Sequence, residues 1–292
     1  MALVLAAACA CAQELEPRAY SAAPVGTNFA VAGYSRVRGE VLTDPSLPIT
    51  DIQARIDLYI AGYARTFALG GHTASLGLAV PFAQADVSGS VFEASHEVHR
   101  TGIGDVRLRL ALNFLGNPAL TPQEFAQRAP TSVAGASLSV VVPTGQYESS
   151  RLVNIGSNRW AFKPEIGISH PIGDWFVEAS AGAWLFGDNP DFLKRQRRSQ
   201  EALYVMQLHA GYSFRPGLWL AFNGAYASGG RTSVGGADNE DVQHNSRYGV
   251  TLSVPIDNGW SAKLAWSKGF ATRAGGDYEI LGLVLQYRWF DR

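Results

Sequence analysis

The stretch Leu281-Gly-Leu-Val-Leu-Gln-Tyr-Arg-Trp-Phe290 constrains the fold more than any other part of the chain. Leu281, Leu283, Leu285, Tyr287 and Trp289 fall at every second position, with Gly282, Val284, Gln286 and Arg288 between them. A period of two belongs to a β-strand with one oily face and one wetter face. Aromatic residues at its end, close to the chain terminus, suit the last strand of a transmembrane barrel. There the apolar face meets lipid, and Tyr and Trp sit at the boundary between hydrocarbon and water. An amphipathic strand of a soluble β-protein would show the same alternation, so the rest of the chain has to decide.

Bulk composition is compatible with either. A net charge of −1 gives no electrostatic reason to expect a nucleic-acid partner. With 47% hydrophobic residues and no run near the ~20 apolar residues a membrane helix needs, helical spans are excluded. Mean hydropathy is −0.01, and a barrel hides in such an average because only alternate residues face lipid.

Residues 1–12 are small and apolar and end in Ala10-Cys-Ala12, the form of a signal peptide with an A-x-A cleavage site. The missing basic region leads us to expect a natural signal longer than this one. A lipoprotein reading at Cys9 is the weaker alternative, since Ala6-Ala7-Ala8 precedes it. Cys9 and Cys11 are the only cysteines, so a mature chain from Gln13 has no disulfide, thiol nucleophile or cysteine metal site. Export through an oxidising periplasm suits such a chain. Residues 13–26, with Pro17, Pro24 and Gly26, read as an extended periplasmic or lumen-plugging segment, and 27–292 as the barrel.

Alternation and turn chemistry divide 27–292 into about twelve strands. They run near Thr27–Arg38, Ala54–Phe67, Thr73–Phe82, Asp105–Phe114, Ser132–Val142, Arg159–His170, Trp175–Phe186, Leu203–Phe214, Leu218–Ala227, Ser246–Ile256, Trp260–Ala271 and the terminal stretch. Ala83 to Gly102 reads as a long polar connection, and Thr121-Pro-Gln-Glu124 as the capped start of a short helix. Tight turns (Gly70-Gly71, Ile172-Gly173, Pro216-Gly217, Asn258-Gly259) follow strands two, six, eight and ten. Longer loops follow the odd-numbered strands. Bacterial barrels keep this parity, with short periplasmic turns, long extracellular loops and periplasmic termini. A soluble sandwich has no reason to, and closure also removes the sheet edges. The expected fold is an all-β, transmembrane, antiparallel up-and-down β-barrel in the outer membrane of a Gram-negative bacterium.

Leu15-Glu-Pro-Arg-Ala-Tyr-Ser21, Pro24-Val-Gly-Thr-Asn-Phe29 and Asn158-Arg-Trp-Ala-Phe-Lys-Pro-Glu165 resemble a known family. With Arg215-Pro-Gly217, Gly229-Gly-Arg231 and Asn245-Ser-Arg247, the match is to the outer-membrane "transporter" proteins of the phenol meta-cleavage (MetA) degradation pathway. The resemblance covers nearly the whole mature chain. It implies a lipid-embedded barrel and passage of small, often aromatic, molecules, and it carries over no catalytic or binding residue. Gly282, Leu285 and Tyr287 also resemble the terminal signal read by the barrel-assembly machinery, although Ile280 replaces the usual polar residue and Asp291-Arg292 follow.

Continuing each alternation names the residues expected to line the lumen: Asp57, Arg65, Arg107, Arg109, Arg159, Lys163, Glu165, Glu178, Gln207, His209, Arg247, Lys263 and Arg288. A lipid-facing Arg or Lys at mid-bilayer costs about 2–4 kcal/mol, which keeps such residues inward. The lining would set permeation of a small-molecule permeant, or else form a salt-bridged interior without flux. Mixed signs argue against selectivity by a ring of one charge. Trp184, Phe186 and Trp219 are candidates for an aromatic path, or else packing residues. Strand nine, which carries Trp219, could be displaced by one residue, and that would swap its faces. Lys194-Arg-Gln-Arg-Arg198 could hold lipopolysaccharide phosphates or be a solvated loop. Asp238-Asn-Glu-Asp241 has oxygen ligands for Ca²⁺ but not a calcium-loop spacing, so no metal or cofactor is expected. A lipolytic serine–histidine barrel would need His209 beside Ser180, Ser213 or Ser253, because Ser169 and His170 point to opposite faces. No G-x-S-x-G motif supports it. The reading is therefore a passive channel, with a structural or surface-interaction barrel as the alternative.

Overall fold

The computed structural model describes residues 15–42, 49–91, 94–193, 195–257 and 259–291. The expected signal sequence, with Gln13, lies outside these residues, as does Lys194 of the basic loop.

The first strands are β1 (Thr27–Leu42), β2 (Ile49–Leu69), β3 (His72–Val91), β4 (Ala94–Ile103) and β5 (Val106–Pro118). Helix α1 (Pro122–Ala126) follows, then β6 (Val133–Val142), β7 (Ala161–Ile172) and β8 (Trp175–Phe186). After β9 (Asn189–Phe192) and β10 (Gln196–Gln200) come β11 (Leu203–Arg215) and β12 (Leu218–Gly229). The chain ends with β13 (Thr232–Val234), β14 (Ala237–Asp238), β15 (Gln243–Asp257), β16 (Trp260–Ala271) and β17 (Gly275–Phe290). Sequential neighbours pair antiparallel around the sheet, and β2 bonds to both β1 and β3, so the ring β1–β2–β3–β5–β6–β7–β8–β11–β12–β15–β16–β17 closes on β1. That is a closed barrel of twelve antiparallel strands. Closure leaves no lateral edge unpaired along the wall.

Local chemistry accounts for the pieces. Gly70 and Gly71, with φ of 58° and 80°, form the tight turn between β2 and β3, where both central residues must be left-handed. Helix α1 carries the expected capping box, with Thr121 and Glu124 satisfying each other's backbone N–H groups. The short turns, α1 and the paired ends Thr27 and Phe290 share one rim, here the turn end.

The outer wall is apolar and exposed. Leu76, Leu78, Leu108, Leu110, Ile166, Met206, Leu208 and Phe222 all point outward with large exposed surfaces. Covering one such side chain is worth about 1.5–3 kcal/mol, so a wall of them in water would be untenable, and it faces lipid instead. Aromatic rings border this band. Trp175–Tyr212, Tyr63–Trp289 and Trp260–Tyr287 mark the turn end, and Tyr34–Tyr59–Phe82 the other. No described helix is long and apolar enough to cross a membrane.

Beyond Tyr34–Tyr59–Phe82 the wall inverts. The expected polar connection from Ala83 to Gly102 is in fact the second half of β3 paired with β4, from Phe82↔Ile103 to Val91↔Ala94. Its outer residues Gln84, Asp86 and His99 are exposed, while Ala83, Ala85 and Val87 pack inward with Val37, Ile52, Ala54, Ile56 and Tyr278. Outside the bilayer, water is on the outer face and the apolar residues turn in. Val153 and Ile155, from the segment between β6 and β7, complete this cluster.

β4 and β5 together make the fourth strand, broken at Gly104-Asp105. Asp105, nearly buried, uses the break to hold that inward segment: its carboxylate accepts from Gly145 N (2.9 Å), Ser157 N (2.8 Å) and Ser157 Oγ (2.5 Å). Asp105→Ala would leave those donors unsatisfied at about 1–3 kcal/mol each. The expected result is a folded barrel whose 145–157 segment is cut by protease at least tenfold faster than in the wild type, an order-of-magnitude consequence of that penalty. Equal cutting rates would remove Asp105 as the anchor.

The loops on either side of β11 and β12 are not free either. Their strands form a separate sheet in the order β14-β13-β10-β9, with Arg198↔Val234 to Gln200↔Thr232 as the join. Arg197 pairs with Asp188, and Arg198 lies 5.6 Å from the Phe192 ring centre. Asp241 accepts from Thr232 N (2.8 Å) and Oγ1 (2.6 Å), so it secures its own loop.

Candidate functional site

Inward positions on the wall follow the pleat. On β5 the alternation that turns Leu108 and Leu110 outward turns Arg107 and Arg109 in. On β7 and β8, Lys163, Glu165, Glu178 and Trp184 are buried on the inner face, as are Gln207 and His209 on β11. Trp219 is buried beside Ala221 and Asn223, which settles the register of β12. Arg247 and Lys263 share this inner face, and Arg288 stands on its parity at the turn-end mouth, 5.5 Å from the Phe290 ring centre. Arg159 precedes β7, donates to Gln200 Oε1 (2.5 Å) and lies 4.4 Å from the Phe186 ring centre.

Asp57 and Arg65 do not line the lumen. Both sit on the outer face of β2 with Tyr59 and Tyr63. Asp57 lies one outward position past Tyr59, where the surroundings are water, and accepts from Tyr34 Oη (2.5 Å) and Arg36 Nε (2.9 Å). Arg65 reaches toward the turn-end rim, where its Nη2 lies 2.6 Å from Asp291 Oδ2, beside Trp289. A long cationic stem can lie along apolar surface with its head in water, so the rule excluding lipid-facing charge fails near both boundaries. The three aromatic candidates also divide. Trp184 and Phe186 stack at 6.4 Å in one cluster, and Trp219 meets Phe176 edge-on at 5.9 Å in another.

The lumen's other occupant is the segment from Leu15 to Gly26, which runs along the inner wall. Gly26 N donates to Thr66 O (3.0 Å) at the turn end, and Val25 N to Leu120 O (2.9 Å). Deeper in, Arg18 N donates to Glu178 Oε2 (2.6 Å) and Glu16 N to Gln207 Oε1 (3.1 Å). The Tyr20 ring fills a groove over two wall glycines, since a Cβ on Gly167 would stand 2.3 Å from it and one on Gly135 2.9 Å. Its hydroxyl donates to Glu165 Oε1 (3.0 Å) and lies 3.0 Å from Ser137 Oγ. Burial, then the Glu165 carboxylate, push that hydroxyl up to about 12, so it remains a donor at neutral pH. Arg18 lies 4.4 Å from the Phe176 ring centre and Arg109 5.4 Å from that of Tyr20.

The polar side chains form linked sets. Glu165 pairs with Lys163 (3.1 Å) and more loosely with Arg109 (3.9 Å). Glu178 accepts from Ser169 Oγ (2.7 Å), and His209 Nδ1 lies 2.8 Å from Asn223 Oδ1, whose amide donates to Thr251 Oγ1 (3.0 Å). Glu16, Tyr20, Glu165, Glu178, Gln207 and His209 surround a small internal space. Although part of its surface is open, Glu16 is enclosed by the wall. Burial alone would raise its carboxyl, and Lys163, Arg109, His209 and Lys263 outweigh that and hold it below the usual carboxylate range. Of the expected lining, Asp57 and Arg65 fall on the outer face, and the expected set did not include Glu16, Arg18 and Tyr20 as lumen groups. Their only local signal is a short alternation of charged and aromatic residues.

The family described as "Putative MetA-pathway of phenol degradation" matches residues 33–287. No curated protein matches the chain. Among solved structures, the COG4313 outer membrane channel from Pseudomonas putida F1 superposes with a TM-score of 0.83 at 23% identity, covering 94% of this chain and 100% of that one. The beta domain of the Bordetella autotransporter BrkA matches with a TM-score of 0.52 at 13% identity, covering 91% and 100%. The likeness to these structures is one of fold.

Proposed function

As the chain belongs to the MetA phenol-degradation family, we propose that it is an outer-membrane channel for passive uptake of small molecules, aromatic ones among them, in a Gram-negative bacterium. The observation that carries this is the contrast between the two faces of one closed wall. Outside is an apolar band with aromatic borders, and inside is a lining of Arg107, Arg109, Lys163, Glu165, Glu178, Gln207, His209 and Lys263. A barrel serving only as a membrane anchor has no need of so many inward charges. The P. putida structure, whose own description is an outer membrane channel, supports this use of the fold. An enzyme reading finds no support at His209, whose ring nitrogen meets Asn223 rather than a serine.

A second reading, a barrel without flux, draws on the segment 15–26 lying in the lumen. Single-channel recording of the refolded protein in a planar bilayer separates the two. Discrete openings in KCl are expected. A folded, heat-modifiable barrel that never conducts would establish the second reading. Membrane lipid and lipopolysaccharide around the band, and the barrel-assembly machinery at β17, are the partners this proposal entails.

A further inference from the structure

The two halves of the inner wall differ. Contacts made by Leu15 to Tyr20 fall on one half: Glu16 meets Gln207 of β11, Arg18 meets Glu178 of β8, and Tyr20 meets Ser137 of β6 and Glu165 of β7. Inner residues there are covered, with Lys163, Glu165, Glu178, Gln207 and His209 each only 4–6% exposed. The neighbouring strands β17, β1, β2 and β3 form the other half. Their inner residues Val31, Gly33, Ile60, Gly62, Ala79 and Val284 are half-buried and adjoin one another in register. A Cβ added to a wall glycine measures the space over each half. Its nearest atom would be 3.5, 3.2 and 3.7 Å away at Gly33, Gly62 and Gly77, against 2.3 Å at Gly167 (from Tyr20) and 2.2 Å at Gly211 (from Phe176). Between Arg288 at the turn-end mouth and the outer apolar cluster, no inner position on these four strands carries a charge. Lys263 and Arg107 stand at the two margins, opposite Val284 and Ala79. At its outer end the bare half runs through Leu58 and Ile280 into the cluster of Val37, Ile56 and Ala83. There the chain seats two of its own apolar side chains, Val153 and Ile155.

We propose that the open passage is a slot between residues 15–23 and the β17–β1–β2–β3 wall, that this wall selects uncharged, apolar small molecules, and that the charged half serves to hold the segment in place. The slot presupposes that the lumen is the permeation route; it names the side of the lumen and the class of molecule that route serves. An ion entering it gives up water on one side and meets only aliphatic carbon and glycine there, which holds it back. An apolar ring or chain gains by covering the same surface. Val153 and Ile155 show the kind of group that this wall accepts.

The chain has no cysteine beyond Cys9 and Cys11, so thiols placed one at a time read the slot directly once those two are serine. Ile60→Cys stands on the bare half, Ser137→Cys under Tyr20, and Ala237→Cys on the exposed β14 as reference. Val31→Cys, on the adjacent strand, repeats the measurement in a second background, and heat-modifiable mobility checks that each variant is folded. The refolded full chain in detergent micelles is treated with methanethiosulfonates carrying a benzyl group, a sulfonate or a trimethylammonium. In each case the thiolate displaces methanesulfinate and a mixed disulfide forms. Relative to Ala237→Cys, Ile60→Cys is expected to favour the benzyl reagent over either ion by at least ~10-fold. It should also react with that reagent at least ~10-fold faster than Ser137→Cys, an order-of-magnitude expectation for an open against a covered thiol. Equal relative rates for the three reagents at Ile60→Cys and Val31→Cys, a preference for the sulfonate drawn by Lys263 and Arg107, or slower labelling than at Ser137→Cys overturns the slot. The same preparations are recorded in KCl. Current without a benzyl preference sinks the slot and keeps the channel; a benzyl preference without current sinks the passage with the channel and leaves only an accessible apolar cleft.

Discussion

Leu110→Arg is expected to abolish barrel assembly, while Arg109→Ala leaves it intact. The two positions are adjacent on β5 and differ only in face. Leu110 points outward in a row with Leu76 on β3 and Leu138 on β6, in the middle of the apolar band. An arginine there meets hydrocarbon at a cost of about 2–4 kcal/mol, with no rim close enough to receive its head. Arg109 points inward, where its Nη2 lies 3.3 Å from Ser137 Oγ and 3.9 Å from Glu165 Oε1. Removing it loses weak contacts, and Glu165 keeps Lys163 at 3.1 Å. Refolding into lipid vesicles, read by heat-modifiable gel mobility, should show a folded fraction near zero for Leu110→Arg and near the wild-type level for Arg109→Ala. Equal yields for the two variants would falsify the facing of β5.

The second large effect is on conductance. A protein beginning at Pro24 lacks Leu15 to Ala23 and with them the contacts of Glu16, Arg18 and Tyr20 to the wall. The stretch keeps Val25 N on Leu120 O and Gly26 N on Thr66 O, so the start of β1 stays pinned at the turn end. Conduction depends on the free cross-section and on the charge lining it. Emptying the lumen of these nine residues should raise single-channel conductance at least ~3-fold, an order-of-magnitude expectation for a pore this filled. Tyr20→Ala alone should give a smaller rise, since the Gly135–Gly167 groove would lose its ring. Unchanged conductance in both variants would mean that ions take a route the segment does not touch.

Most of the barrel was legible because its determinants are local. Leu281 to Trp289 alternate whatever their neighbours do, and Gly70-Gly71 turns the chain by its own dihedral preferences. The parity of turns and loops then ordered the strands. Structure and sequence expectation part where the rule of apolar-outward stops applying. Ala83, Ala85 and Val87 alternate with Gln84, Asp86 and Ser88 as strictly as any membrane strand does. Their small inward residues read as a connection because no large outward ones accompany them. Asp57 fails for the same reason, since it sits just past the hydrocarbon boundary, and Arg65 because its stem reaches the rim.

By itself the sequence determined the twelve-strand wall and the facing of the membrane band, because alternation, turn residues and burial in lipid act through neighbours along the chain. Only the tertiary structure decided what fills the lumen. Glu16 meets Gln207 across 191 residues, Arg18 meets Glu178 across 160 and Tyr20 meets Ser137 across 117. Contacts at such separations leave no trace beyond the short alternation of Glu16, Arg18 and Tyr20, because nothing in the local chemistry of Leu15 to Tyr20 records which strands will close around it.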